Sequence, residues 1–115
     1  MYKSPMKIET ETFDSGILKV NLAGRMDAQG TEEIEQAFMD YACSHRLVIV
    51  DMNAVSFLTS MGIRTLMLVA KAVSRRGGKM VLLNPDTHVR QVLETIEDLI
   101  PIHCSLDEAL RAVSS

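Results

Sequence analysis

The sequence is poor in aromatic residues and in long apolar runs, and each shortage excludes a class of protein. Its 115 residues include no Trp and only 4% aromatic residues, which argues against the aromatic platforms that stack nucleic-acid bases. No stretch approaches the roughly 18 apolar residues that cross a bilayer, so no membrane insertion is expected. The net charge is −3, whereas a protein that binds a phosphate backbone usually has a basic face. No nucleic-acid partner is therefore expected.

Cysteine is also scarce. Cys43 and Cys104 lack the spacing of a metal site, so no metal is predicted. A disulfide between them stays open, but two free thiols in a reducing cytoplasm are the favoured interpretation. Residues 1–7 lack the apolar run of a signal peptide. We therefore expect a cytoplasmic protein, and the 47% of apolar residues can form the core of one domain spanning residues 1–115.

The pattern of apolar residues predicts an α/β fold. Residues 7–13 and 17–23 alternate around the turn residues 14–16, which predicts a β-hairpin. Further strands are predicted over 47–52, 79–83 and 101–103, and helices over about 32–42, 60–76, 86–96 and 105–113. Strand–helix–strand repeats favour parallel pairing with right-handed crossovers. The expected architecture is a four- to five-stranded mixed β-sheet with about four α-helices.

No familiar catalytic arrangement is present. The three histidines are isolated, no P-loop or G-x-G-x-x-G motif occurs, and Gly77-Gly78 ends a helix rather than cradling a phosphate. Asp27 and Asp51 lie near strand ends but have no obvious acid/base partner. We therefore predict that the protein is not an enzyme and needs no cofactor. A small ligand-binding or enzymatic domain, with Asp27 and Asp51 converging in a cleft, stays open as a third hypothesis.

The most informative segment is Thr59-Ser60-Met61-Gly62, which precedes the helix predicted over 60–76. A hydroxyl at a helix N-terminus lies among unpaired N–H groups and positive dipole potential. Ser60 could simply cap the helix, which contributes about 1 kcal/mol. Alternatively it could be a phosphoacceptor, where phosphate adds about −1.5 to −2 charges. Because a helix N-terminus tolerates an anion, the cost of that charge would fall on a bound partner rather than on folding.

The helix that follows has two apolar faces. Its inward stripe is predicted to contain Ile63, Leu66, Met67, Ala70 and Val73. The opposite face holds Met61, Thr65, Leu68 and Ala72, flanked by Arg64, Lys71 and Arg75. An apolar patch with a charged rim is typical of an interface, and it could also serve a homodimer. Two alternatives stay open: the terminal helix covers this face, or the exposed apolar side chains have no partner.

The chain resembles the STAS domain family, in particular its stand-alone bacterial anti-sigma factor antagonists. The resemblance covers nearly the whole chain and rests on Gly24-Arg-Met-Asp27, Val48-Ile-Val-Asp51, residues 55–62 and residues 77–83. It implies a STAS-like α/β fold and a non-enzymatic regulator of transcription. Such a regulator binds an anti-sigma factor that is a serine kinase, is switched off when that kinase phosphorylates it, and is reset by a serine phosphatase. ATP would then belong to the kinase.

The family loop typically reads D-S-S/T-G, whereas this chain has Thr59, Ser60, Met61 and Gly62. The acidic position is therefore Thr59, and Met61 stands at the second hydroxyl position. If that second position is the acceptor, this protein cannot use it. Ser60 remains the candidate acceptor and Thr59 is an outsider. The resemblance and the helix face together predict the partner surface: Asp27, Asp51, Thr59, Ser60, Met61, Gly62, Arg64, Thr65 and Leu68.

Two functions are thus compatible with the same fold. The first is an anti-sigma factor antagonist controlled by phosphorylation at Ser60. The second is a constitutive STAS adaptor subunit of a transporter or signalling complex, in which Ser60 serves only as a helix cap.

Overall fold

A five-stranded sheet forms the centre of the computed structural model, which describes residues 6–114. Its strands are β1 (Met6–Phe13), β2 (Ile17–Met26), β3 (Leu47–Leu58), β4 (Lys79–Leu83) and β5 (Ile102–His103). They lie in the sheet in chain order; β1 and β2 pair antiparallel and all later neighbours pair parallel. The prediction of a mixed sheet with an opening hairpin is therefore confirmed.

Within residues 6–114, four α-helices cover the two faces of the sheet: α1 (Ala28–Cys43), α2 (Ser60–Arg75), α3 (Thr87–Leu93) and α4 (Leu106–Ser114). Because successive strand residues point to opposite faces, Val48 and Val50 pack in the core cluster of α1, α2 and α3. Ile49 instead packs with Ala109 and Val113 of α4. None of these helices is long and apolar enough to cross a bilayer. Cys43 and Cys104 are both free thiols, as predicted.

The first helix begins earlier than its acidic pair indicates. Asp27 is the N-cap, and its side chain accepts a 2.8 Å hydrogen bond from the backbone N–H of Gly30. Gly30 is therefore inside α1, where a Cβ would collide with the carbonyl oxygen of Arg25. The predicted start near Glu32 was wrong because a Gly-Thr pair is unusual within a helix, yet here only glycine fits against β2.

Strand β3 is longer than its apolar run, and this extension positions the candidate site. The prediction ended at residue 52, but pairing with β2 continues to Leu58, which lies opposite Met26. Two register shifts accompany the extension, each with one extra residue on β3. Such bulges bend a strand and increase its twist. Asn53 and Ser56 interrupt the apolar run, and the two register shifts break the regular alternation, so the sequence pattern did not indicate this part of the strand.

The buried stripe of α2 is rotated relative to the prediction by about 75°, at 100° per residue. Its fully buried residues are Gly62, Thr65, Leu66, Val69 and Val73. Met67, which was predicted to face inward, is 37% exposed. Thr65, which was predicted on the outer face, is 1% exposed, and its hydroxyl donates a 2.7 Å hydrogen bond to Glu35 Oε1. The prediction failed because a glycine and a satisfied threonine occupy core positions that it gave to larger apolar residues.

Candidate functional site

The start of α2 is fixed to the end of β2 by Thr59. Its backbone N–H and its hydroxyl both donate to the carbonyl oxygen of Met26, at 3.1 and 2.7 Å. Its own carbonyl accepts the N–H of Ile63, so Thr59 is the N-cap residue of α2. Its side chain makes no capping bond, because the hydroxyl is directed to β2 instead. The interpretation of Ser60 as the N-cap was therefore wrong.

Ser60 is the first residue of α2 and is exposed. Within residues 6–114 its hydroxyl has no hydrogen-bond partner. Because the N-cap residue makes no side-chain capping bond, the first turn of α2 and the positive end of its dipole can accommodate an anion at this position. Ser60 therefore combines an accessible nucleophilic oxygen with an environment that accommodates negative charge. The hydroxyl of Thr59, by contrast, is already engaged in the fold.

The other predicted partner residues of α2 divide into exposed and buried groups. Met61 and Leu68 are 40% and 41% exposed, and Arg64 is also exposed. Gly62 is buried, and an added Cβ would lie 2.6 Å from Leu58 Cδ1 and 3.0 Å from Met26 Cβ. Its small size therefore allows close packing of α2 on the strand ends. Thr65 is buried as well and has no outward surface.

The two aspartates do not converge. Asp27 directly follows Met26, which binds Thr59, so it lies beside the start of α2 and pairs with Arg25 at 3.5 Å. Asp51 lies on the sheet face that also carries Ile49. It precedes Leu58 by seven residues on β3, or at most about 23 Å at about 3.3 Å per residue. The structure thus places Asp27 at the site and Asp51 away from it.

Asp51 instead belongs to a polar network on the open part of that face. Lys19 Nζ lies 3.3 Å from Asp51 and 3.1 Å from Glu11, and Asn21 donates a 2.9 Å bond to Glu11. Hydrogen bonds from Asn21 and Lys19 lower the pKa of Glu11. Burial by itself would lower the pKa of Lys19, but its bonds to Glu11 and Asp51 raise it above the usual value. The network joins side chains of β1, β2 and β3, and no pattern in the sequence indicated it.

A groove of about 670 Å³ extends from Ser60 along α2. Residues of α2 form one side, and Leu99 and Ile100 form the other. The α2 residues that line it are Ser60, Ile63, Arg64, Met67, Leu68, Ala70, Lys71 and Ser74. This groove was not predicted, because the contribution of Leu99 and Ile100 depends on tertiary packing. The signal that could have indicated it was the apolar pair 99–100 directly before a proline.

Comparisons with known proteins agree on one family. The family model of the STAS domain matches residues 7–109 of this chain. BtrV of Bordetella bronchiseptica, named as a candidate anti-sigma factor antagonist, is 30% identical over 90 residues, which is 77% of each chain. A crystal structure of an anti-sigma factor antagonist from Mycobacterium paratuberculosis is 23% identical and covers 99% of this chain and 98% of its own, with a TM-score of 0.83.

SpoIIAA, an anti-sigma factor antagonist and cell fate determinant of Bacillus, has been solved in two forms. The unphosphorylated form is 21% identical, covers 94% of this chain and 96% of its own, and has a TM-score of 0.75. The phosphorylated form is 19% identical, covers 93% of this chain and 99% of its own, and has a TM-score of 0.70. At these identities the structural likeness establishes the fold.

Proposed function

The chain belongs to the STAS domain family, and from that premise we propose that it is an anti-sigma factor antagonist. In this proposal it is a non-enzymatic regulator that acts in the cytoplasm. It binds an anti-sigma factor that is also a serine kinase, and the sigma factor is thereby released. Phosphorylation of Ser60 ends the complex, and a serine phosphatase restores it.

The main support for the proposal is that Ser60 is exposed and that its hydroxyl is not hydrogen-bonded within residues 6–114. Its hydroxyl is exposed at the first residue of a 16-residue helix, and the described residues offer it no hydrogen-bond partner. BtrV supports the antagonist role, and the phosphorylated form of SpoIIAA supports the existence of such a switch on this fold. Ser60 is favoured over Thr59, whose hydroxyl is bound to the carbonyl of Met26.

The chemistry transfers a phosphoryl group from ATP to Ser60. The Oγ atom forms a bond to the γ-phosphorus, the bond to the β-phosphate oxygen breaks, ADP leaves and the hydroxyl proton is released. The phosphatase reverses the outcome by hydrolysis, which uses water and yields inorganic phosphate. Arg64 lies one turn along α2 at the i+4 position, where it can pair with the new charge. The fold therefore survives phosphorylation, while the partner meets about −1.5 to −2 charges.

A constitutive adaptor is the second candidate, and Met61 is the observation that favours it. Met61 stands where the family places a second hydroxyl, and it is 40% exposed. A thioether cannot accept a phosphoryl group, and its flexible apolar chain adapts well to a protein partner. In this alternative the same surface binds a subunit of a transporter or signalling complex without a switch.

Phosphopeptide mapping separates the two candidates. The protein would be purified from its native cells as wild type, Ser60→Ala and the matched control Thr59→Ala. We expect one phosphate on the Ser60 peptide of the wild type and of Thr59→Ala, and none on Ser60→Ala. Each anti-sigma kinase of the source genome, purified and supplied with ATP, should reproduce this pattern in vitro in the productive pairing. An unmodified Ser60 with every active kinase would overturn the switch and leave the adaptor.

A further inference from the structure

We propose that the groove between α2 and residues 99–100 is the docking site for an acidic, amphipathic segment of the anti-sigma factor. This inference rests on the proposed function and adds the chemistry of the partner. It also adds Met67 and Leu99 to the predicted partner surface, and it places Lys71, predicted at the charged rim of an interface, in the lining of the groove. Three properties of the groove support the inference: its shape, its charge and its position beside Ser60.

The groove is lined by buried and half-buried apolar side chains, and exposed apolar side chains lie on both of its sides. Ile100 is 1% exposed, and Ile63 and Ala70 are half-buried. On either side Met67 and Leu99 present 37% and 65% of their surface to solvent. The α2 residues that line it run from Ser60 to Ser74, which is about 21 Å at 1.5 Å per residue. A partner helix of about four turns, with one apolar face, matches this length.

The charges that line the groove indicate which polar residues the partner segment should carry. Among residues 6–114, Arg64 and Lys71 are the charged residues that line it, and none of the lining residues is acidic. The whole chain, by contrast, has a net charge of −3. This local positive potential on an acidic protein favours Asp and Glu at the edges of the bound segment and speeds their encounter. A symmetric dimer through this groove would place the Arg64 and Lys71 side chains of both copies together, which opposes self-association.

The position of Ser60 gives the groove its connection to the switch. Ser60 lines one end of it, one helical turn from Arg64. A phosphate on Ser60 would neutralise part of the positive charge and repel the acidic edge of the docked segment. Phosphorylation would therefore act on the docking site itself, through like-charge repulsion.

The test separates the apolar and the charged contributions. Leu99→Ser removes an apolar side chain without adding charge, and Lys71→Glu reverses a charge. Tyr41→Ser is the matched control, because Tyr41 is 41% exposed on α1 and does not line the groove. Each anti-sigma factor of the source genome would be purified and titrated against these variants by calorimetry, at 50 and 300 mM NaCl. Circular dichroism melts would confirm that the variants are folded, as expected for exposed positions.

We expect Leu99→Ser and Lys71→Glu each to weaken binding by about tenfold or more, and Tyr41→Ser to change it less than twofold. Binding by the wild type should weaken with salt, and Lys71→Glu should flatten that dependence. If no anti-sigma factor binds the wild type, the proposed function is overturned. If one binds and the groove variants bind equally well, the docking site is wrong while the function stands. A wild-type dimer in sedimentation that Leu99→Ser dissolves would assign the groove to a second copy instead.

Discussion

Thr65→Val tests the orientation of α2, on which the whole assignment of the partner surface depends. Thr65 is 1% exposed, and its hydroxyl donates a 2.7 Å bond to Glu35 Oε1 that joins α2 to α1. Valine keeps the volume and leaves no cavity, so the main loss is this hydrogen bond. A bond to a charged group contributes about 1.5–3 kcal/mol. Because Glu35 is half-buried and regains water, we expect a loss near the lower limit.

The predicted loss of about 1.5 kcal/mol in the free energy of unfolding corresponds to a melting temperature lower by about 6 °C for a chain of this size. Urea titration followed by circular dichroism at 222 nm measures it. Thr12→Val at an exposed position of β1 is the control, with an expected change within about 0.5 kcal/mol. A double-mutant cycle with Glu35→Gln should show a coupling energy of about 1 kcal/mol between the two side chains.

The companion variant Leu68→Glu should behave in the opposite way. Leu68 is 41% exposed and lines the groove, so stability should change little while binding of the anti-sigma factor weakens. Thr65→Val should leave that binding unchanged. The orientation of α2 would be refuted if Thr65→Val were as stable as Thr12→Val and bound its partner poorly, or if Leu68→Glu lost several kcal/mol of stability.

Two further predictions concern the ends of the sheet and its polar face. Gly62→Ala should lower the free energy of unfolding by about 1–2 kcal/mol in urea titration, because the new Cβ meets Leu58 Cδ1 at 2.6 Å and Met26 Cβ at 3.0 Å. The exposed control Ser74→Ala should leave the free energy of unfolding unchanged. Equal stability of the two variants would contradict the close packing at Gly62. Lys19→Met should cost about 1 kcal/mol at pH 7. Because the pKa of Lys19 in the folded protein is raised above 10.5, the stabilisation by Lys19 is complete below that pH and is lost as the pH rises through the folded pKa. If the difference in free energy of unfolding between Lys19→Met and wild type stayed constant from pH 7 to beyond 11, the ion pair would be refuted.

Much of the architecture followed from the sequence because it depends on local patterns. Alternation over residues 7–13 and 17–23 predicted the hairpin, and the bounds of β4 were predicted without error. Free thiols and the mixed sheet were predicted as well. The start of α1 was missed because Gly30 is a poor helix former in isolation, and only its contact with the Arg25 carbonyl explains its place. The end of β3 was missed because its pairing with β2, rather than its own composition, extends it.

The candidate site shows the same division. The sequence by itself determined that the hydroxyl residues Thr59 and Ser60 precede an amphipathic helix and that Met61 follows them, because these are facts of order along the chain. Only the tertiary structure decided that Thr59 is bound to Met26 while Ser60 is free among the described residues. It also moved Thr65 inward, brought Leu99 beside α2 and placed Asp51 with Lys19. The reason is that burial and long-range pairing depend on which surfaces meet, and periodicity in one helix does not contain that information.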